Sequence, residues 1–290
     1  DNRWVAVFGN GYGSHKGKAA LFVVDLATGA LIRKMVVDDN TGGTAAEQAV
    51  GTGLSSPELV VNAQHQIERI YAGDTKGNMW RFDISSATVS NWTSQKLFAA
   101  GSTRPVTVKP LITEHPEGGY LVSFGTGKLS ETADKTNLDL QAFYAIWDKP
   151  SASLPVPTSQ LQEQSITGGA RINDQDYFYT TTNPVSWASQ RGWFMELIYG
   201  GVAEGERVIY PAQTTEGRVV FVTAKIDAND PCESSGSGRL VELDLFTGGM
   251  LNYEVLDTNG DGRINDDDQM VAGVNIGGGL PGLPVIIDKG

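Results

Sequence analysis

A strand, an aspartate and a Thr-Gly turn follow one another in Leu21-Phe22-Val23-Val24-Asp25-Leu26-Ala27-Thr28-Gly29-Ala30-Leu31. The same order recurs near the other end of the chain, in Leu240-Val241-Glu242-Leu243-Asp244-Leu245-Phe246-Thr247-Gly248-Gly249-Met250. Glycine permits the positive φ that a tight turn between two strands requires, and the aspartate can accept hydrogen bonds from the turn backbone. The two stretches therefore predict one hairpin design that the fold uses more than once.

Weaker copies of this pattern end at Asp83 and Asp148. Together with Asp25 and Asp244, these aspartates lie about one or two four-stranded units apart along the chain. That spacing favours a β-propeller, in which each four-stranded blade buries its face against the next. A meandering β-sandwich with similar hairpins is the alternative. The 290 residues include 35 glycines, which also favours an all-β protein with many turns.

Strand-like runs separated by Gly, Asn or Asp recur along the whole chain, and no helical period is sustained over three turns. The predicted strands are residues 4–8, 20–25, 70–73, 79–83, 120–124, 143–148, 177–181, 193–198, 207–210, 219–223 and 240–245. One short helix is predicted around residues 159–165, with Leu161 and Ile166 facing inward. Residues 38–53 and 149–170 are predicted to be surface loops.

Charge and cysteine content narrow the classes of function. The formal net charge of −12 argues against binding of nucleic acid or of an anionic membrane surface, because both need basic patches. Cys232 is the only cysteine, so the chain has no internal disulfide framework, and a buried structural thiol is the expected role. No apolar run reaches transmembrane length, and we do not expect a signal peptide within these residues. We expect residues 1–290 to form one propeller domain that is a fragment of a larger protein.

One run of oxygen-bearing side chains points to a specific chemistry. Residues 257–268 read Asp-Thr-Asn-Gly-Asp-Gly-Arg-Ile-Asn-Asp-Asp-Asp. Oxygens at positions 1, 3, 5, 7, 9 and 12, with a glycine at position 6, define an EF-hand-type calcium loop. Calcium is a hard cation that takes six to eight oxygen ligands, and a loop wound around it turns alternate residues inward.

The expected ligands follow from that layout. Asp257, Asn259 and Asp261 supply side-chain oxygens, and Arg263 supplies its backbone carbonyl. Asn265 binds directly or through water. The last position is Asp268 instead of the usual glutamate, and its shorter side chain makes bidentate closure less certain. Ile264 is expected to pack against the protein. The alternatives are a magnesium site, which demands stricter octahedral geometry, and a solvated acidic turn.

These features occur together in a known family. The chain resembles the C-terminal β-propeller domain of the type IV pilus tip adhesin and biogenesis proteins of the PilY/PilC type. The resemblance spans nearly the whole chain, and its ordered motifs are listed here: Val7-Phe8-Gly9-Asn10-Gly11-Tyr12, Gly53-Leu54-Ser55-Ser56-Pro57, Tyr71-Ala72-Gly73-Asp74, Phe124-Gly125-Thr126-Gly127-Lys128, Phe143-Tyr144-Ala145-Ile146-Trp147-Asp148 and Asp230-Pro231-Cys232.

The resemblance implies a modified β-propeller with an inserted EF-hand-like calcium-binding loop, Ca²⁺ as the cofactor and no enzymatic activity. It implies a place on the bacterial cell surface or pilus tip, outer-membrane-associated or secreted. Minor pilins and host-cell or surface receptors are the implied partners. The implied roles are pilus assembly, opposition to retraction, twitching motility, adhesion and virulence. Family ligands map onto Asp257, Asn259, Asp261, Arg263 and Asn265. Asn265 stands where the family more commonly has aspartate, so weaker calcium binding is expected.

Two other classes of protein share parts of the pattern. Quinoprotein dehydrogenases are propellers that carry pyrroloquinoline quinone and calcium, but they often stack the quinone on a vicinal disulfide, which Cys232 alone cannot form. Dockerin modules use similar calcium loops in pairs with flanking helices. Here one such loop occurs, and the run Gly277-Gly278-Gly279-Leu280-Pro281 would stop an exit helix.

Histidines and tryptophans complete the list of candidate functional residues. His15, His65 and His115 lie in polar or turn-like sequence, where surface or capping roles are expected instead of metal ligation. Trp80, Trp147, Trp187 and Trp193 lie in strand-like runs, and we expect them to pack between blades and not to stack against carbohydrate. The Gly-rich run of residues 9–13 is expected to be a turn, because no helix follows that would bind phosphate.

Overall fold

Four antiparallel-rich β-sheets form the structure. The computed structural model describes residues 3–14, 16–38, 51–226 and 236–286. Sheet 1 and sheet 2 are simple meanders of consecutive strands. The strands of sheet 1, in order, are β1 (Val5–Gly9), β2 (Ala19–Asp25) and β3 (Leu31–Asp38); those of sheet 2 are β4 (Glu58–Val61), β5 (Ile67–Gly73), β6 (Asn78–Asp83) and β7 (Thr93–Ala99).

Sheets 3 and 4 are larger and interleave in the sequence. Sheet 3 contains β8 (Leu111–Glu114), β9 (Tyr120–Gly125), β10 (Ala142–Asp148), β11 (Gln162–Gln164) and β14 (Gly192–Glu196), in the order β11-β14-β10-β9-β8. Sheet 4 contains β12 (Ile166–Ile172), β13 (Gln175–Thr180), β15 (Gln213–Thr215), β16 (Arg218–Val222), β17 (Lys225–Ile226), β18 (Gly236–Asp244) and β19 (Gly273–Ile276). Its order is β12-β13-β19-β18-β16-β15, and β17 also pairs with β18.

Each sheet packs its face on the next, as the blades of a propeller do. Three hydrophobic clusters lie between sheets 1 and 2, sheets 2 and 3, and sheets 3 and 4. In the fully buried strand β10, successive side chains point alternately to the two neighbouring sheets. Phe143, Ala145 and Trp147 point toward sheet 4, whereas Tyr144 and Ile146 point toward sheet 2. Because side chains alternate with period two, one strand supplies both cores.

A buried carboxylate links sheets 2 and 3. Asp148 at the end of β10 is fully buried. It accepts hydrogen bonds from Arg81 at 2.8 Å, from Arg69 at 3.1 Å and from the Tyr71 hydroxyl at 2.6 Å. These three partners lie on β5 and β6 of the neighbouring sheet. The aspartate that ends this strand therefore stabilises packing between blades, while its counterparts in the other hairpins stabilise turns.

The predicted hairpin turn has the expected geometry. Asp25 accepts the amides of Ala27 and Thr28 at 3.0 and 2.9 Å, and Asp244 accepts the equivalent amides at 3.0 and 2.7 Å. The glycine that follows has a φ of +71° in both turns. The sequence repeat on which the fold prediction rests therefore corresponds to the same turn structure at both places.

Several local predictions are wrong or lie outside the described residues. Residues 159–165 are not a helix, because a short 3₁₀ turn at Thr158–Gln160 leads directly into β11, which pairs in parallel with β14. The loop predicted at 149–170 therefore contains β11 and the start of β12. The predicted strand at 207–210 makes one isolated bridge, between Arg207 and Ala224. Residues 39–50, His15 and Cys232 lie outside the described residues.

Aromatic residues mostly behave as predicted. Trp147 and Trp193 are fully buried between sheets 3 and 4, which confirms their packing role. His115 is a correction to the expected surface position, because its side chain is only 5% exposed and stacks on Trp147 with ring centroids 4.0 Å apart. Its capping role is present, since its Nδ1 accepts the Glu117 amide at 3.2 Å.

Candidate calcium-binding loop

Residues 257–268 are an insertion between two neighbouring strands of sheet 4. β18 and β19 pair directly, with Val241 opposite Gly273, so the ladder holds both ends of the insertion. Close to the loop, the Ala272 amide donates to the Phe178 carbonyl at 2.9 Å. The loop therefore protrudes from a rigid sheet, and its own conformation depends on hydrogen bonds that it makes internally.

Those internal hydrogen bonds involve every predicted side-chain ligand. The two carboxylate oxygens of Asp257 accept the amides of Gly260 at 2.6 Å and Gly262 at 2.8 Å. Asn259 accepts the amide of Asp261 at 2.9 Å, and Asp261 accepts that of Arg263 at 2.8 Å. Each acceptor oxygen keeps a further lone pair, so these bonds are compatible with coordination of a cation.

Asn265 accepts a nearby backbone amide in the same way, and two glycines allow the backbone to turn between these residues. The Asn265 side-chain oxygen accepts the Asp267 amide at 2.8 Å. Gly260 and Gly262 have φ values of +79° and +83°, a region that residues with a Cβ rarely occupy. The backbone therefore turns sharply at Gly262, where the calcium-loop pattern has glycine, and also two residues earlier at Gly260.

Asp268 has different surroundings from the other candidates. Its side chain is 7% exposed, and one oxygen accepts the Thr258 amide at 2.6 Å, the Asn259 amide at 3.1 Å and the Thr258 hydroxyl at 3.1 Å. The other oxygen accepts the Asn265 amide at 3.0 Å. Burial would raise the pKa of Asp268, but the backbone amide donors outweigh it and hold the pKa below its usual value. Asp268 therefore ties the start of the loop to its end.

Arg263 and Ile264 lie on the outside of the loop. Both are exposed, and the side chain of Ile264 is 56% accessible to solvent. The prediction that Ile264 packs against the protein is therefore wrong. The described part of the chain contains no α-helix that could cover this position.

The sheet supports the loop through residues that the sequence analysis did not identify. At the tip of the β12–β13 hairpin, the Asn173 side-chain amide donates to the carbonyls of Thr258 at 3.2 Å and Asn259 at 2.9 Å. The Tyr177 hydroxyl donates to the Asp257 carbonyl at 3.4 Å. Burial raises the pKa of Tyr177, and the nearby carboxylates of Asp257 and Asp268 raise it further. The sequence shows at this hairpin only an Asn-Asp turn, which gives no sign of a contact about 85 residues away.

The donor set fits calcium better than the metals that histidine or thiolate bind. Asp257, Asn259, Asp261, Asn265 and the Arg263 carbonyl offer only oxygen, which a hard cation prefers. Among the described residues, no group of three or more His, Cys, Asp or Glu side chains is close enough together to hold a metal. Amide and carbonyl oxygens would therefore have to complete the coordination.

Comparisons with known proteins identify relatives over nearly the whole chain. The family model described as the PilY1 beta-propeller domain matches residues 1–97. The type IV pilus biogenesis factor PilY1 of Pseudomonas aeruginosa is 32% identical over an alignment of 305 positions, gaps included, that covers 89% of this chain and 25% of that protein. A PilY1 homolog of Xylella fastidiosa is 30% identical and covers 96% of this chain and 20% of its own length. The chain thus spans about a quarter or less of these relatives.

A solved structure supports the fold. The crystal structure of the Pseudomonas aeruginosa PilY1 C-terminal domain superposes with a TM-score of 0.79 at 29% sequence identity. The match covers 95% of this chain and 64% of that chain. The prediction of an all-β, propeller-like fold is therefore confirmed.

Proposed function

The chain is a C-terminal β-propeller domain of the PilY1 type, and on that premise we propose that it serves type IV pilus biogenesis as the calcium-binding part of a larger protein at the pilus tip. The observation that carries this proposal is the similarity to PilY1 over 89% of the chain. The role is one of binding and assembly and not of catalysis, since the relatives are named as biogenesis factors. We place the domain at the bacterial surface, where it supports twitching motility and attachment.

In this proposal the loop at residues 257–268 is the calcium-binding site. Asp257, Asn259, Asp261, Asn265 and the Arg263 carbonyl hold the ion, while Asp268 closes the loop behind them. When bound, calcium neutralises the carboxylates and links oxygens that otherwise repel one another. Asp268 and Asn173 keep the loop ends in place in either state, so that a change in occupancy alters the exposed turn and not the sheet. This makes occupancy a local switch on the surface that the loop presents.

The affinity of the loop for calcium determines whether its occupancy changes over the range of calcium concentrations that the protein meets. Loops of this type bind calcium with dissociation constants from about 10⁻⁸ to 10⁻³ M. Asn265 removes one negative charge from the family pattern, and Asp268 already accepts four hydrogen bonds. We therefore propose roughly micromolar or weaker binding. Such an affinity keeps the loop filled outside the cell, where calcium is abundant, and allows it to empty when calcium falls.

The test is made in cells that produce the full-length protein. Asp261→Asn removes one ligand charge at constant size and is expected to reduce surface pili and twitching. Asp176→Asn is the matched control, because Asp176 lies on the hairpin beside the loop and pairs with Arg171 at 3.3 Å instead of facing the loop oxygens. Wild-type piliation and motility both in the Asp261→Asn strain and in an Asp261→Ala strain, which lacks the ligand oxygen, would show that calcium occupancy has no part in pilus function.

A further inference from the structure

Two consecutive residues of the loop at 257–268 can react with each other. Asn259 precedes Gly260, and the side-chain amide of an asparagine can be attacked by the backbone nitrogen of the residue that follows it. Glycine favours this attack because it has no Cβ to hinder ring closure. We propose that Asn259 is a site of spontaneous deamidation, at which the loop changes its own charge. The reaction does not require calcium, so only its consequence for calcium binding rests on the proposed function.

The reaction has two steps, and water is its only co-reactant. In the first step the Gly260 nitrogen forms a bond to Cγ of Asn259 while the bond from Cγ to Nδ2 breaks. Ammonia leaves with the proton that the Gly260 nitrogen loses, and a five-membered succinimide ring remains. In the second step water opens the ring at one of its two carbonyls. Attack at Cγ gives aspartate, and attack at the backbone carbonyl gives isoaspartate.

A carboxylate lies beside the attacking nitrogen. Oδ1 of Asp257 accepts the Gly260 N–H at 2.6 Å. The nitrogen has to lose this proton in order to bond to Cγ, and a carboxylate within hydrogen-bond distance is placed to accept it as a general base. Asp257 therefore favours the first step of the reaction, and it can pass the proton to the departing nitrogen.

The loop also orients the side chain that is attacked. Oδ1 of Asn259 accepts the Asp261 N–H at 2.9 Å, which holds the side chain against the intervening Gly260 peptide. Negative charge develops on this oxygen when the nitrogen attacks, and a backbone N–H at that distance stabilises the charge. Nδ2, the nitrogen that leaves, donates no hydrogen bond to the part of the chain that the structure describes. Its departure therefore breaks no further contact there.

Solvent access and backbone freedom are the remaining requirements. Gly260 is exposed, and a Cβ added to it would have no neighbouring atom within 4 Å, so water can reach the ring. One contact opposes ring closure, because the Asn173 side-chain amide donates to the Asn259 carbonyl at 2.9 Å and the peptide that carries this carbonyl has to turn. A single neutral hydrogen bond has a small net free energy, so this contact slows the reaction without preventing it.

The sequence contains a second Asn-Gly pair, whose surroundings are different. Nδ2 of Asn10 donates to the Lys18 carbonyl at 2.7 Å, and its Oδ1 accepts the amides of Ala20 at 3.0 Å and Leu54 at 3.1 Å. The Gly11 N–H donates to the Leu54 carbonyl at 2.9 Å, which is not a base. The attacking nitrogen and both ends of the side-chain amide are therefore held by other segments. Asn10 is expected to be stable and provides an internal control.

Deamidation changes the loop at a predicted calcium ligand. Aspartate at position 259 adds one negative charge, and the third position of an EF-hand-type loop takes either aspartate or asparagine. We therefore expect the aspartate product to bind calcium more tightly than the original loop does. Isoaspartate lengthens the backbone by one methylene and displaces the carboxylate, so we expect that product to bind calcium more weakly.

The test follows both asparagines in one sample. The purified chain is incubated in EDTA at neutral pH and physiological temperature and then digested with trypsin, which places Asn259 in the peptide of residues 240–263 and Asn10 in that of residues 4–16. Fragment ions in mass spectrometry locate each conversion and distinguish isoaspartate from aspartate. Asn259 should convert about tenfold or more faster than Asn10, where three side-chain hydrogen bonds have to break. Equal rates, or no conversion of Asn259, would overturn the proposal.

Three variants test the geometry, with folding verified by circular dichroism. Asp257→Asn keeps an oxygen for the Gly260 N–H but removes the base, and should slow conversion of Asn259 about tenfold or more. Asp266→Asn is the matched control, because it removes the same charge from an exposed position of the same loop and should leave the rate unchanged. Asn173→Ala frees the Asn259 carbonyl and should raise the rate. A wild-type rate in both Asp257→Asn and Asn173→Ala would contradict the assignment.

Calcium separates this proposal from the proposed function. Bound calcium would engage the Asp257 carboxylate and the Asn259 side-chain oxygen, so conversion should slow about tenfold or more at a hundredfold excess over the dissociation constant. Fast conversion in EDTA and in calcium alike would support the deamidation site and contradict calcium binding by these residues. No conversion in EDTA would overturn the deamidation site, whereas calcium binding would still be measured by calorimetry.

Discussion

Asp268 illustrates what spacing can and cannot establish about a single residue. Its place twelve residues into the loop makes it a candidate ligand. Its environment, which spacing does not reveal, makes it the acceptor for amides at both ends of the loop. Asp257 and Asp261, by contrast, accept amides only from neighbouring loop residues. The sequence therefore predicts which residues form the loop, but not which of them holds its two ends together.

Because Asp268 and Asp261 accept different hydrogen bonds, their substitution should affect the stability of the metal-free protein differently. Asp268→Ala should lower the melting temperature of EDTA-treated protein, because three backbone amides near the base of the loop lose their acceptor. Asp261→Ala should leave that melting temperature unchanged, since its side chain is exposed. Differential scanning calorimetry of the two variants in EDTA measures the contrast. Equal melting temperatures would show that Asp268 does not close the loop.

His115 gives a second prediction at this scale. Burial lowers the pKa of His115, and Lys149 lowers it further against an opposing effect of Glu117. The folded protein therefore binds fewer protons here than the unfolded chain does below about pH 6.5. Stability should be fully present above that pH and should fall as the pH drops from 6.5 through the lowered folded pKa.

Urea unfolding between pH 5 and 7.5 measures this slope. His115→Gln should flatten it in the acidic half of the range, whereas His65→Gln, at an exposed turn, should retain it. A slope that persists in His115→Gln would assign the acid sensitivity to other groups.

At the scale of the element, the Asp–Thr–Gly hairpin was predictable because its turn chemistry is local. The aspartate and glycine act on amides within four residues, so the signal survives in the sequence alone. The helix predicted at 159–165 failed for the opposite reason, since pairing of β11 with β14 depends on a strand about thirty residues away. Local sequence pattern cannot show a non-local pairing, and for the same reason it did not show that the Asn173 side chain contacts the loop at residues 257–268.

The two copies of the turn provide a matched pair of substitutions. Gly29 and Gly248 share a φ of +71°, but a Cβ at Gly29 meets open space, while one at Gly248 would lie 2.2 Å from the buried Trp193 ring. Gly29→Ala should cost about 1–2 kcal/mol in backbone strain. Gly248→Ala should cost about 3 kcal/mol or more, because Trp193 cannot move without disturbing the core. Chemical denaturation of both variants compares the free energies of unfolding, and equal costs would be inconsistent with this packing.

At the scale of the whole molecule, the repeat predicted the architecture better than it predicted the connections. Spaced aspartate anchors indicated successive blades, and the cores between sheets 1 and 2, 2 and 3, and 3 and 4 have that arrangement. The repeat could not show that sheets 3 and 4 exchange order along the chain, with β14 returning to sheet 3 after β12 and β13. Nor could it show that residues 257–268 lie between the paired strands β18 and β19 of the last sheet.

The central claim is that residues 257–268 bind calcium, and calorimetric titration of the EDTA-treated domain tests it most directly. The account predicts one calcium per chain, loss of the binding heat in Asp261→Ala, and about 2.7 kcal/mol of added stability at a hundredfold excess over the dissociation constant. No binding heat, together with a melting temperature that is the same in calcium and in EDTA, would contradict it.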